Sequence, residues 1–175
     1  MRSPIIRSFP PISAPDARIL ILGSMPGEAS LTAQQYYAHP MNAFWRIMGE
    51  LVGAGPDLPY PARTQILVAH RIAVWDVLKS CVRPGSLDAS IRDEAPNDFA
   101  QFFSGHPQLT HVALNGGKAA ASFKKHAARH CPAHVTITAL PSTSPAHAAR
   151  SFAEKLALWR AALPIGHQLP HTKPR

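Results

Sequence analysis

The sequence predicts an α/β protein, a three-layer α/β/α arrangement around a central, mainly parallel four-stranded sheet. Two observations predict it. Short apolar runs bounded by turn residues recur at 18–22, 72–75, 111–114 and 135–140, the pattern of strands covered on both faces. Segments of helical spacing separate them, and strand–helix alternation builds a parallel sheet between helix layers. The length of 175 residues suits one domain, large enough to bury roughly 70% of its unfolded surface.

The elements follow in order. Ile19, Leu20, Ile21 and Leu22 form the first strand, Gly23 stops it, and Pro26 and Gly27 hold the turn. Asn42 to Val52 reads as a helix, because Phe44, Ile47, Met48 and Leu51 share one face and GAGP ends it. Ala62–Ala69 is a short helix and Ile72–Trp75 the second strand. KSCVRPGSLDASIRDEAPND is polar and rich in turn residues, so it reads as loop. Asn97 or Asp98 caps a helix through Phe103. His111–Leu114 is the third strand, and NGG turns it into a helix, Lys118–His130. Val135–Leu140 is the fourth strand, followed by the loop PSTSPAHA and a helix over Ala146–Ala162. The whole reads as a single domain over 1–175, with 1–14 and 164–175 as flexible tails.

Composition excludes several classes. A hydrophobic fraction of 46% excludes a disordered chain, and no apolar run approaches the ~20 residues that cross a bilayer. MRSPIIRSFPPIS carries prolines where a signal peptide carries an apolar core. A cytoplasmic monomer without membrane contact is the expectation. Cys81 and Cys131 are too few for a four-cysteine cluster or a cysteine-only zinc site. The ten histidines show no paired ligand spacing. No metal and no organic cofactor are expected.

Charge points to polyanions. Eighteen Lys and Arg against ten Asp and Glu give +8 and a pI near 10.1, which favours phosphate contacts with counterion release. Lys118, Lys124, Lys125 and Arg129 cluster with His126 and His130, and Arg150, Lys155 and Arg160 follow.

Three strand ends carry the candidate chemistry: GSMPG after the first, Trp75-Asp76 after the second and LPSTSPAHA after the fourth. In a parallel sheet they converge on one edge, where open α/β folds place ligands. The run from Tyr36 to Trp45, YYAHPMNAFW, adds aromatic groups beside a few polar ones. That mixture suits a pocket that stacks a planar heterocycle and grips its edge. Ser142 or Ser144 with His147 invites a hydrolase-nucleophile reading, yet G-x-S-x-G is absent and no ordered acid follows. Serine hydroxyls that contact phosphate fit better. Asn115-Gly116-Gly117-Lys118 lacks both the P-loop and the dinucleotide pattern and reads as a turn into a helix.

These blocks resemble the uracil-DNA glycosylase superfamily, and GSMPGEASL…QYYAHPMNAFW is most similar to its hypoxanthine-DNA (deoxyinosine) glycosylase family. IAVWDVLKSCVR and ALPSTSPAHAA resemble the second-strand block and the Ser/Pro-rich DNA loop, so the likeness spans nearly the whole chain. It implies hydrolysis of the bond between a damaged base and deoxyribose, on single- or double-stranded DNA, with the base first turned out of the stack. It implies that Asn42, in HPMNAFW, positions the water; the residues alone favour Asn42 as a helix cap, and both can hold. It places Gly23, Ser24, Met25, Pro26, Gly27, Tyr37, His39 and Asp76 in the base pocket, with Tyr37 stacking on the base and Asp76 reading its edge. Phe44 and Trp45 read as core aromatics. DNA contacts fall to Ser142, Ser144, Pro145, His147, Lys118 and Arg150, with the gap-filling residue expected between Pro145 and His147.

Two departures matter. Met25 stands where uracil-specific and mismatch-specific relatives carry a water-handling Asn or Asp. Leu140 stands where the superfamily loop often begins with His. Both argue against strong uracil activity. A uracil or mismatch glycosylase, a non-catalytic nucleic-acid binder of this fold and a small-molecule nucleoside hydrolase are the alternatives.

Overall fold

The computed structural model describes residues 3–165. Four parallel strands form its centre: β2 (Ile19–Gly23), β3 (Ile72–Asp76), β6 (His111–Asn115) and β7 (Thr136–Leu140), in the order β3-β2-β6-β7. Ile21 lies opposite Val74 on one side and Ala113 on the other. Side chains alternate across a sheet, and here the alternation splits the core in two. Leu20, Leu22, Ala73, Val112 and Leu114 pack with Phe99, Phe102 and Phe123. These aromatics come from α4 (Phe99–Gly105) and α5 (Gly117–His126). Ile19, Ile21, Ile72, Val74 and Ala113 pack with Phe44, Met48, Leu67 and Trp159. These come from α2 (Phe44–Val52), α3 (Tyr60–Ala69) and α6 (Phe152–Ala162). Three layers result, as the apolar runs predict. Phe44 and Trp159 are fully buried, and each large side chain of this kind contributes about 1.5–3 kcal/mol by leaving water.

A second sheet stands where the sequence suggests loop. β1 (Ile5–Arg7), β4 (Leu78–Val82) and β5 (Arg92–Pro96) form an antiparallel sheet in the order β1-β4-β5. KSCVRPGSLDASIRDEAPND therefore contains two strand segments joined by a turn-rich loop. Residues 3–14 do not form a free tail either, and residues 1–2 lie outside the described residues. Ile5–Arg7 pairs with Ser80–Val82, and Ile12 bridges to Val74. The segment is fixed from the inside, because Tyr36 Oη donates to the Pro10 carbonyl at 2.9 Å and Trp75 Nε1 to that of Phe9 at 3.1 Å. Of residues 164–175, all beyond 165 lie outside the described residues.

Three helices depart from expectation. α5 ends at His126 rather than His130, with a separate 3-10 turn over Ala128–His130. A short α1 (Glu28–Ala33) follows the first turn. α6 begins at Phe152 rather than Ala146, with Ser151 Oγ accepting from Glu154 N. The preceding residues fold on themselves instead: Ser142 Oγ accepts from Ser144 N, and Ser144 Oγ from Ala146 N. Serine side chains that bond nearby backbone compete with helix in this way. Among the described residues no helix is long and apolar enough to cross a membrane.

Candidate active site

The carboxyl ends of β2, β3, β6 and β7 open onto one cavity of about 640 Å³. Gly23, Ser24, Met25, Pro26 and Gly27 line one wall, and Tyr37, His39 and Asn42 a second. Asp76 lines it from the end of β3, and Ser142, Ser144, Pro145 and His147 from the loop after β7. Thirteen sequence-predicted residues thus meet in one place. Lys118 and Arg150 do not line it. Lys118 Nζ sits 2.6 Å from Glu94 Oε2, an ion pair that His126 joins at 3.1 Å; Arg150 is exposed beyond the loop.

Asp76 is the most unusual group. It is buried, and its Oδ2 has no hydrogen-bond partner. Burial, with the negative charge of Asp88 adding to it, pushes its pKa up to about 7, against the opposing pull of Arg83. A buried carboxyl without donors is costly when ionised. It therefore stands ready to hold a proton and to pair with an incoming group. The strand end is shaped around it. A Cβ on residue 23 would lie 2.5 Å from Asp76 Oδ1 and 3.0 Å from Tyr37 Oη, so glycine makes room for both.

Tyr37 adopts φ +55, a left-handed backbone that costs a non-glycine residue energy. Its ring stacks on Phe44 at 4.1 Å between centroids, and Asn115 Nδ2 donates to its Oη at 3.2 Å. Burial and the Asp76 charge push the phenol pKa up, so it stays neutral. Phe44 and Trp45 are core, as their spacing predicts. Tyr36 also reaches the cavity lining but is mainly a buried strut: its backbone carbonyl accepts from Trp45 Nε1 at 2.8 Å.

Asn42 stands one residue before the N-cap, Ala43, and bonds the first helical residue. Its Oδ1 accepts from Phe44 N at 2.9 Å, which leaves one lone pair and both Nδ2 hydrogens for a ligand. His39 closes the loop below it, with its carbonyl accepting from Asn42 N and its Nδ1 from Met41 N.

Sequence reasoning missed part of the site. Asn115 is buried at the end of β6, where its Oδ1 accepts from Thr143 N and its Nδ2 donates to Thr143 Oγ1, each at 3.0 Å. Thr143 in turn accepts from Ala43 N through its carbonyl at 3.0 Å. Asn115 therefore joins the Tyr37 loop to the loop after β7. Its position at a strand end is the signal that was available. Gly116, at φ +97, permits the close approach of Ser142. The segment after β4 also reaches the cavity, through Ser86, Leu87 and Asp88. Ser24 Oγ donates to Asp88 Oδ1 at 2.8 Å, and Glu28 N to Ser86 Oγ at 2.8 Å. These partners are 64 and 58 residues apart in the chain, with no local pattern to reveal them.

Comparison with known proteins identifies the family. A family model described as "Uracil DNA glycosylase superfamily" matches residues 10–163. A hypoxanthine DNA glycosylase of Methanosarcina acetivorans is 41% identical over 116 residues, 66% of this chain and 73% of that protein. Another from Methanosarcina barkeri is 40% identical over 113 residues, 64% and 72% of the two chains. A solution NMR structure from Methanosarcina acetivorans, described as a candidate uracil DNA glycosylase, superposes with a TM-score of 0.74 at 35% identity. It covers 90% of this chain and 98% of its own. The chain belongs to the uracil DNA glycosylase superfamily.

Proposed function

We infer that this chain is a monofunctional DNA glycosylase that hydrolyses the bond between hypoxanthine and deoxyribose and leaves an abasic site. Its relatives named as hypoxanthine DNA glycosylases, at about 40% identity, supply the activity. The observation in the molecule that carries the reading is the cavity itself: a buried, unpartnered Asp76 carboxyl beside Tyr37 and Asn42. DNA is the substrate, single- or double-stranded, and the protein acts as a cytoplasmic monomer.

The residues divide the work. Hypoxanthine presents an N1–H donor next to an O6 acceptor. The carboxyl of Asp76 accepts from N1–H, and in its protonated form it also donates to O6. Tyr37 is backed by Phe44, so its ring is a fixed surface for the extruded base. Once the glycosidic bond stretches, the sugar becomes cation-like and needs a placed water rather than a strong base. Asn42, held through Oδ1 by the helix backbone, positions that water with its amide N–H. Met25 supplies no polar group for this step, which leaves Asn42 as the group that does. Ser142, Ser144, Pro145 and His147 meet the DNA backbone at the cavity edge.

The test is base release from matched oligonucleotides that carry one hypoxanthine, uracil, xanthine or mismatched thymine, with strand breakage read after alkali. Hypoxanthine release that Asn42→Ala abolishes, in a protein that still melts cooperatively, supports the assignment. Release at uracil alone overturns the substrate.

A further inference from the structure

The loop after β7 is built of small side chains. From Pro141 to Ala149 it reads PSTSPAHAA, in which Pro141 and Pro145 are the only residues of the wedge-forming kind, each a short ring that reaches less far than a leucine. The cavity mouth nevertheless has one. Leu87 lines the cavity and is 59% exposed. Among the described residues four other large apolar side chains are exposed: Ile5 and Met41 more than Leu87, Ile137 and Leu158 less. None of these four lines the cavity.

A single exposed leucine is ordinary; an exposed leucine on a braced platform is less so. Ser86, before it, accepts from Glu28 N, and Asp88, after it, accepts from Ser24 Oγ. Its own carbonyl accepts from Ser90 N at 3.0 Å. Beneath the loop, buried Arg83 donates through Nε to the Gly85 carbonyl and through Nη2 to that of Pro26, each at 2.7 Å. The backbone on both sides of Leu87 is therefore tied to the turn that forms the cavity wall. More than half of the Leu87 surface is left open to solvent at the cavity edge.

Extruding a base leaves a gap between its former neighbours, and proteins that unstack DNA fill such gaps with Leu, Met, Phe, Ile or Pro. We propose that Leu87 is the side chain that enters the duplex and fills the space vacated by the extruded base. This rests on the glycosylase reading of the cavity. It moves the gap-filling role from the Pro145–His147 span to a different loop, the one between β4 and β5. The side chain keeps the base from returning to the stack, so it matters only where there is a stack to return to.

The experiment compares single-turnover hypoxanthine release from duplex and from single-stranded oligonucleotides, for wild type, Leu87→Ala, Leu87→Met and Met41→Ala. Leu87→Ala should lower the duplex rate about tenfold or more and leave the single-strand rate within about twofold of wild type. Leu87→Met should restore most of the duplex rate. A 2-aminopurine placed beside the hypoxanthine should show less unstacking on binding Leu87→Ala than on binding wild type. Equal losses on both substrates, or no loss on either, would overturn the proposal, as would a duplex-specific loss in Met41→Ala alone. If wild type releases hypoxanthine from neither substrate, the reading of the cavity fails, and this proposal with it.

Discussion

Gly23 and Asp76 occupy one another's space: the carboxyl oxygen stands where a side chain on residue 23 would begin, 2.5 Å from an ideal Cβ. The two are paired in the parallel register of β2 and β3. Real Cβ atoms do not approach an oxygen so closely, so Gly23→Ala must displace the carboxyl or open the strand pair. Overpacking of this kind costs about 1–3 kcal/mol. Denaturant midpoints should fall accordingly, and base release should drop more than stability explains. An alanine variant with wild-type midpoint and rate would show that the carboxyl is free to move.

Asp76 also sets a pH dependence. Its folded pKa, about 7, lies above the value near 3.8 of an unperturbed aspartate. The folded state therefore binds the proton more tightly than the unfolded state. Stability is highest with the group protonated, falls as pH rises between these two values, and levels off above about 7. The full span is on the order of 4 kcal/mol. Asp76→Asn removes this dependence. Thermal midpoints of the two proteins should diverge across that window, with the variant relatively more stable at the alkaline end. Parallel curves would mean that the carboxyl is solvated in the folded protein.

Asn115 makes three bonds to Thr143 and Tyr37. Asn115→Ala leaves the Thr143 N–H buried and unpaired, at a cost of about 1–3 kcal/mol. It also releases Tyr37 and the loop after β7 from each other. Urea denaturation should show the loss, and hydrogen exchange should show faster opening at 141–144 than in β6. Unchanged protection in that loop would refute the tie.

DNA affinity separates the two cations predicted from sequence. Lys118 is already engaged by Glu94, whereas Arg150 is exposed. Each phosphate contact contributes about one to the slope of log affinity against log salt. Arg150→Ala should reduce that slope by about one, measured by anisotropy on an abasic-site duplex, and Lys118→Ala should leave it unchanged. The reverse result would mean that Lys118 exchanges Glu94 for phosphate when DNA arrives.

The central sheet was legible because β2, β3 and β6 are apolar runs buried along nearly their whole length, a pattern that needs no partner to be recognised. The edge strand β7, with one buried residue of five, was marked by the strand–helix alternation before it and the Pro/Ser turn after it. The small sheet was not. Leu78–Val82 has two buried residues among five, and Arg92–Pro96 has none, so neither alternation nor an apolar run marks them. Ile5–Arg7, amid prolines, is a strand only because β4 lies beside it. The site divides the same way. Gly23, Asp76 and Asn42 announce themselves at strand or helix ends, where local sequence determines geometry. Asn115 sits at such an end too, but the glycines after it suggest only a turn. Ser86, Leu87 and Asp88 enter through contacts 58 and 64 residues apart in the chain, in a segment whose composition says loop.

The guanidinium of Arg83 has a mechanical consequence. It is buried and holds the carbonyls of Pro26 and Gly85 together, so the wall of the cavity and the loop that bears Leu87 behave as one piece. On the proposed reading, such a protein would meet DNA as a die meets a blank, and deformation would fall on the nucleic acid. Discrimination then begins before any base enters the cavity. Steps that bend and unpair easily yield to the die, and intact, well-stacked pairs resist it. Lesions would be found first by their softness and only afterwards by their chemistry.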